Sequence, residues 1–176
     1  VMMSYAAGDA GELMWRLHLE RKGFEIEAAP KRKAFYDWDM KSTRGDSVTT
    51  YEVKYDEKAY WWAQRRGKPE EPNLYIEFKS TKRNGPSGIL LSKSDYYVYI
   101  LKRVSEKVSE ADGSTHSVTD NLAYIYDRVK LCSFCQEGGF RVVGNKATGD
   151  DNAEGWIPPV SETLNDAAGF VKLIFL

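Results

Sequence analysis

The chain has few of the residues on which special architectures depend. Its two cysteines, Cys132 and Cys135, form a single Cys-x-x-Cys with no second pair at zinc-site spacing, and its two histidines, His18 and His116, lie far from them. Two reduced thiols in a cytoplasmic protein are therefore the expectation, rather than a zinc site or a redox centre. No apolar run reaches the length that spans a bilayer and no signal-peptide pattern is read, so a cytoplasmic protein without a membrane span is the expectation. Net charge is -1, so the chain as a whole projects no strong field of either sign. No internal repeat or low-complexity tract is present. What remains, 42% apolar and 29% charged residues over 176 positions, suits one compact domain, residues 1–176, with a sizeable core.

Two stretches stand out against this background. Thr50-Tyr51-Glu52-Val53-Lys54-Tyr55-Asp56 and the earlier Phe35-Tyr36-Asp37-Trp38-Asp39-Met40 both alternate aromatic or apolar residues with charges. At strand spacing, successive side chains point to opposite faces of a sheet. Glu52 and Lys54 then share one face, while Tyr51, Val53 and Tyr55 share the other and are fitted to pack. A polar turn through Lys41-Ser42-Thr43-Arg44-Gly45-Asp46 would lay the earlier stretch antiparallel and bring an aspartate beside Glu52. Asp37 and Asp39, two apart, point the same way; Asp39, at the far end, is favoured and Asp37 is second.

Two carboxylates and a lysine at one place on a sheet have a ready chemical use. Magnesium held by one or two carboxylates keeps water and phosphate in its other positions. Such an ion acidifies water and neutralises phosphate charge, and lysine is a compact cation able to orient water or stabilise developing charge. Taken alone, a Glu-x-Lys pair on a strand is most often a solvated edge. The burial-seeking neighbours on both strands argue for a central sheet instead.

Asp followed by Glu-x-Lys on the next strand resembles the signature of the PD-(D/E)XK, or restriction-endonuclease-like, nucleases. Gly11-Glu12 on an opening helix is similar to the first-helix glutamate found in many members, phage and archaeal Holliday-junction resolvases among them. Downstream, Asn73-Leu74-Tyr75-Ile76-Glu77-Phe78, Ser87-Gly88-Ile89 and Ser94-Asp95-Tyr96-Tyr97 look like a layout of small phage-type endonucleases, so the resemblance covers roughly the first hundred residues. The proline that names the motif is missing: Tyr36 precedes Asp37 and Trp38 precedes Asp39. The resemblance implies an α/β fold with a restriction-endonuclease-like core, a central mixed β-sheet flanked by helices. It also implies a deoxyribonuclease dependent on Mg2+ (or Mn2+). The implied site residues are Glu12, Asp39, Glu52 and Lys54. Asp39, Glu52 and the backbone oxygen of Val53 would hold the metal, and Lys54 would orient or help deprotonate the attacking water. DNA is the implied partner, and small members often form a homodimer. The alternative is a catalytically inactive nucleic-acid-binding accessory protein that keeps the nuclease fold.

Asp9-Ala10-Gly11-Glu12 followed by Leu13, Met14 and Leu17 predicts an amphipathic helix capped by Asp9, with Glu12 at the capping-box position and Gly23 at the end. Glu12 therefore has a structural role open to it beside the catalytic one. Residues 24–28 alternate as a first strand, and residues 56–71 suit a short helix or ordered loop able to cover the site. Residues 74–79 alternate as a strand carrying a second Glu-x-Lys, Glu77-Phe78-Lys79, the chief rival of the first. In the resembling layout this glutamate lies on the strand beside the motif strand. Residues 94–101 are strand-like, 105–121 are polar enough for a partly mobile hairpin loop, and 122–126 return as its mate. A short helix at 129–136, a strand at 140–143, a polar loop at 144–155 and a docking apolar C-terminus complete the pattern.

Local basic clusters at Lys31-Arg32-Lys33, Arg65-Arg66-Gly67-Lys68 and Lys82-Arg83 are candidates for phosphate contacts. Tyr60, Trp61 and Trp62 run straight into the second cluster. They suit either stacking on unpaired bases or a partly buried position with the arginines as a solvated face.

Overall fold

A computed structural model describes residues 3–30, 37–144 and 153–176. Helix α1 (Met3–Arg21) leads into a meander of β1 (Glu25–Ala28), β2 (Met40–Arg44) and β3 (Ser47–Asp56), each pair antiparallel. Helix α2 (Ala59–Arg65) follows. After an excursion through β4 (Ile76–Ser80) and β5 (Gly85–Pro86), the chain returns as β6 (Tyr96–Val108), parallel to β3. Strands β7 (Thr115–Asp127) and β10 (Phe170–Phe175) continue the sheet antiparallel, so its order is β1-β2-β3-β6-β7-β10. Between those two strands lie α3 (Arg128–Glu137), β8 (Val142–Gly144), β9 (Ala153–Trp156) and α4 (Val160–Thr163). A second, antiparallel sheet has the order β5-β4-β9-β8. The chain is thus mixed α/β around a central mixed sheet.

Strand alternation sorts the core into two layers. Met40, Tyr51, Val53, Val98, Ile100, Ala123 and Ile125 form one buried face, closed by Trp15 and Leu19 of α1. Gly11 allows the close approach of that helix, since a Cβ there would stand 2.6 Å from the Cβ of Tyr55. Trp15 meets Tyr51 edge-on and His18 stacks on Trp15, which makes His18 a packing residue. On the opposite face, Tyr97, Tyr99, Leu101, Leu122, Tyr124 and Tyr126 are covered by Ala59 of α2, Leu74 and Ile76, Leu131 and Cys135 of α3, and Val160 of α4. Central strands buried on both faces read as nearly unbroken apolar runs, as residues 96–101 and 122–126 do. Fully burying a large apolar side chain stabilises by about 1.5–3 kcal/mol, so these two layers hold the sheet and the charged row within it does not.

Several local expectations are corrected. Asp9 is no N-cap: the helix already runs from Met3, so Asp9 and Glu12 lie inside α1. Its end is as expected, with Gly23 N bonded to Glu20 O and Phe24 N to Leu19 O in a Schellman arrangement. Strand β2 begins at Met40, so Asp37 and Asp39 precede it, and the turn is Gly45-Asp46 alone because Lys41 to Arg44 pair with β3. Phe35, Tyr36 and the Lys31-Arg32-Lys33 cluster fall outside the described residues, as do residues 145–152 of the expected polar loop.

Of the stretch 105–121, only residues 109–114 form a loop. Strands β6 and β7 pair as far as Val108 with Thr115, while β3 and β10 stop at Leu101 and Leu122. A two-stranded ribbon therefore continues past the rest of the sheet, and its β-branched Val104, Val108, Thr115, Val118 and Thr119 favour strand among otherwise polar neighbours. Strand β4 does not flank the motif strand, whose neighbours are β2 and β6. Pairing with β9 and the stack of Phe78 on Trp156 at 4.1 Å hold it in the second sheet. No helix among the described residues is long and apolar enough to cross a membrane.

Candidate active site

The β2–β3 ladder pairs Met40 with Tyr51, and Asp39, the residue just before it, is held against the same strand. The main chain of Asp39 donates to Tyr51 O at 2.9 Å, and its Oδ2 accepts from the Val53 amide at 2.8 Å. Backbone and carboxylate are thus both fastened to β3. Glu52 and Lys54 point away from α1, and Lys54 Nζ donates to Glu52 Oε1 at 2.5 Å. Parallel pairing with β6 sets Tyr97 beside Glu52 and Tyr99 beside Lys54. Asp95 helps fix that register: its Oδ2 accepts from Thr50 N at 2.8 Å and from Thr50 Oγ1 at 3.0 Å.

This face changes from aromatic on β6 to charged on β3 and at the start of β2, and the acid pair stands at the boundary. The Glu52 side chain is only 13% exposed, whereas Lys54 keeps 43%. Burial raises the Glu52 carboxyl above its ordinary range. Lys54 works against that rise, and the charges of Asp39 and Glu77 add to it. For Lys54, burial opposes the ammonium, but the charges of Glu52 and Asp39 and the direct bond to Glu52 outweigh it and raise the group. Lys54 is therefore a firmly held cation that donates and does not take up a proton. Burial, then the Glu52 charge, also raises Tyr97. Its buried hydroxyl lies toward Ser92 without a hydrogen bond of good geometry.

The second sheet contributes Glu77, whose Oε1 accepts from Ser87 Oγ. The following Gly88 (φ +52°) presses against the same strand, and a Cβ there would stand 2.3 Å from Glu77 O. The second Glu-x-Lys does not pair internally, because Lys79 reaches across to Glu154 at 3.3 Å.

The structure thus gathers Asp39, Glu52 and Lys54, with Glu77 near enough for its charge to act on Glu52. Asp37 is drawn elsewhere: its main-chain oxygen accepts from Lys93 N at 2.8 Å and its Oδ1 pairs with Lys93 Nζ at 3.1 Å. Glu12 sits half-buried on α1, the helix that covers the other face. Val53 joins the site through its amide, donated to Asp39. Tyr97 was missed because it sits in an apolar strand run, where only the β3–β6 register reveals that it faces Glu52. Both cysteines are free, and burial pushes the Cys135 thiol up to about 12, which makes it a poor nucleophile.

Among the described residues, no group of three or more His, Cys, Asp or Glu is placed to hold a metal ion. The pair Asp39 and Glu52 nevertheless fits a hard divalent cation, because one or two carboxylates suffice where phosphate and water fill the other positions. Burial raises the Glu52 carboxyl even though the Lys54 ammonium outweighs the Asp39 and Glu77 charges, so a bound cation would favour the ionised form of a desolvated carboxylate. Compared with known protein families, characterised proteins and solved structures, the chain shows no match.

Proposed function

We propose that this chain is a divalent-metal-dependent deoxyribonuclease with a restriction-endonuclease-like core. The observation that carries the reading is the Asp39 carboxylate fastened to the Val53 amide, where its charge acts on both Glu52 and Lys54, with Lys54 bonded to Glu52. An acid entering β2 and Glu-x-Lys on β3, in a central mixed sheet, agree with the PD-(D/E)XK resemblance. Asp39 and Glu52 would hold Mg2+ or Mn2+, which when bound supplies charge neutralisation at the phosphate and a more acidic water. Asp39 is pre-positioned by the Val53 amide. Lys54, as a lasting ammonium, orients the water or stabilises charge developing on the phosphate. Tyr97 flanks Glu52 in the register and keeps its hydroxyl buried and neutral.

Supercoiled plasmid incubated with the purified protein tests this reading. Nicking in Mg2+, none in EDTA and none by Glu52→Gln is the expected outcome. Cleavage by Glu52→Gln at the unsubstituted rate, or equal cleavage in EDTA, defeats the reading.

One observation favours a second reading, a DNA-binding protein that does not cut: Glu52 is mostly buried and already bonded to Lys54. That protein would bind DNA with affinity falling steeply in salt and leave plasmid intact with either metal.

A further inference from the structure

Helix α2 buries two small residues, Ala59 and Ala63, and turns two tryptophans outward. Trp61 is 46% and Trp62 42% exposed, a large apolar outlay to leave in water. Their rings meet edge to face at 4.6 Å, and the Arg65 guanidinium lies 4.8 Å from the centre of the Trp61 ring. Trp61 with Arg65 and Trp62 with Arg66 are four apart, so each tryptophan has an arginine as its neighbour along the helix. Among the described residues, neither arginine is paired with a carboxylate; Arg66 Nη2 donates to Glu71 O at 3.0 Å and keeps its other donors for a phosphate. The sequence places these aromatics between a stacking platform and a partly buried position; each keeps more than two fifths of its surface open, as a platform needs.

The helix packs on the face that carries Glu52 and Lys54. Tyr60 of α2 meets the Tyr124 hydroxyl at 3.1 Å, and Tyr124, Tyr99 and Lys54 form one row across the sheet. We infer that Trp61 and Trp62 form a stacking platform for the unpaired bases of single-stranded DNA, with Arg65 and Arg66 engaging its phosphates. Unpaired bases offer open π-faces to aromatic rings and a phosphate chain to the guanidinium groups. A duplex keeps its bases stacked on each other and offers only the phosphates. The platform deepens the nuclease reading by naming its substrate form, and rests on that reading only for where the strand is cut.

The test is fluorescence anisotropy in EDTA, with a labelled oligothymidylate and a hairpin duplex as probes. Trp61→Ala and Trp62→Ala should each weaken oligothymidylate binding by about tenfold, the scale of one base–aromatic stack. Trp61→Phe and Trp62→Phe should keep most of it, and duplex affinity should stay unchanged in all four. Circular dichroism checks that each variant is folded. Unchanged oligothymidylate binding in the alanine variants, equal losses on both probes, or no oligothymidylate binding by the unsubstituted protein overturns the platform. Tryptophan-dependent binding with no Mg2+-dependent cleavage of either the oligothymidylate or plasmid would sink the nuclease reading and leave the platform standing. Cleavage of plasmid by the alanine variants alongside unchanged oligothymidylate binding would do the reverse.

Discussion

The carboxylate of Asp39 accepts a hydrogen bond from the amide of Val53 at 2.8 Å, so the residue between Glu52 and Lys54 anchors the acid of the neighbouring strand. Two substitutions separate its structural and chemical parts. Asp39→Asn keeps an oxygen for the Val53 amide and should fold with nearly unchanged stability, yet lose cleavage by more than about a hundredfold. Asp39→Ala leaves that amide without its partner and should cost a further 1–3 kcal/mol or so. Urea unfolding and a plasmid assay on both variants check the pair of outcomes.

Glu52 makes stability depend on pH in a definite direction. Burial, with the Asp39 and Glu77 charges, raises its folded carboxyl above the ordinary 4.5, and Lys54 only reduces the rise. Between the ordinary and the raised value, the folded state holds more protons than the unfolded chain. Metal-free stability contributed by this group is therefore full below that window and is lost as pH rises through it. Glu52→Gln should remove this part of the slope when unfolding is measured in EDTA across about pH 4 to 8. Added Mg2+ should stabilise the unsubstituted protein more as pH rises, because protons then compete less for the carboxylate, and should not stabilise Glu52→Gln.

How much of this was legible follows from what each pattern reports. Period-two alternation in residues 50–56 put Glu52 and Lys54 on one face without any structure. An aspartate against β3 is legible too, but the turn is not: in β2 only Met40 and Ser42 are buried, so Lys41 to Arg44 show no apolar alternation. The ribbon of β6 and β7 looked like a loop because past Leu101 and Leu122 its two strands pair only with each other, and polar residues there meet no core. The place of β4 in a separate sheet was hidden because alternation says which face a residue takes and is silent on which strand pairs with which. Asp9 looked like a cap because an aspartate before an apolar-periodic run marks a helix start; here the helix begins earlier.

Lys54 should matter for turnover more than for holding a cation. Lys54→Met removes a donor and a fixed positive charge, so cleavage should drop by about a hundredfold or more while divalent binding is retained. Lys54→Arg should not restore the rate, because a planar guanidinium fork does not replace a compact ammonium. Single-turnover cleavage with calorimetry on the same preparations checks both statements.

Gly88 has a conformational and a steric reason to be glycine. With φ +52° and Glu77 O at 2.3 Å from any Cβ, Gly88→Ala should destabilise by about 1–3 kcal/mol, as overpacking does. It should also loosen the segment that sets Ser87 on Glu77. A lowered urea midpoint with an unchanged slope is the expected signature.

The claim beneath all of this is that Asp39 and Glu52 grip one divalent cation between them. Calorimetric titration of Mn2+ into the metal-free protein, into Asp39→Asn and into Glu52→Gln tests it most directly. A single site in the unsubstituted protein that disappears in each variant is the predicted result. Mn2+ binding that survives unchanged in either variant would contradict it.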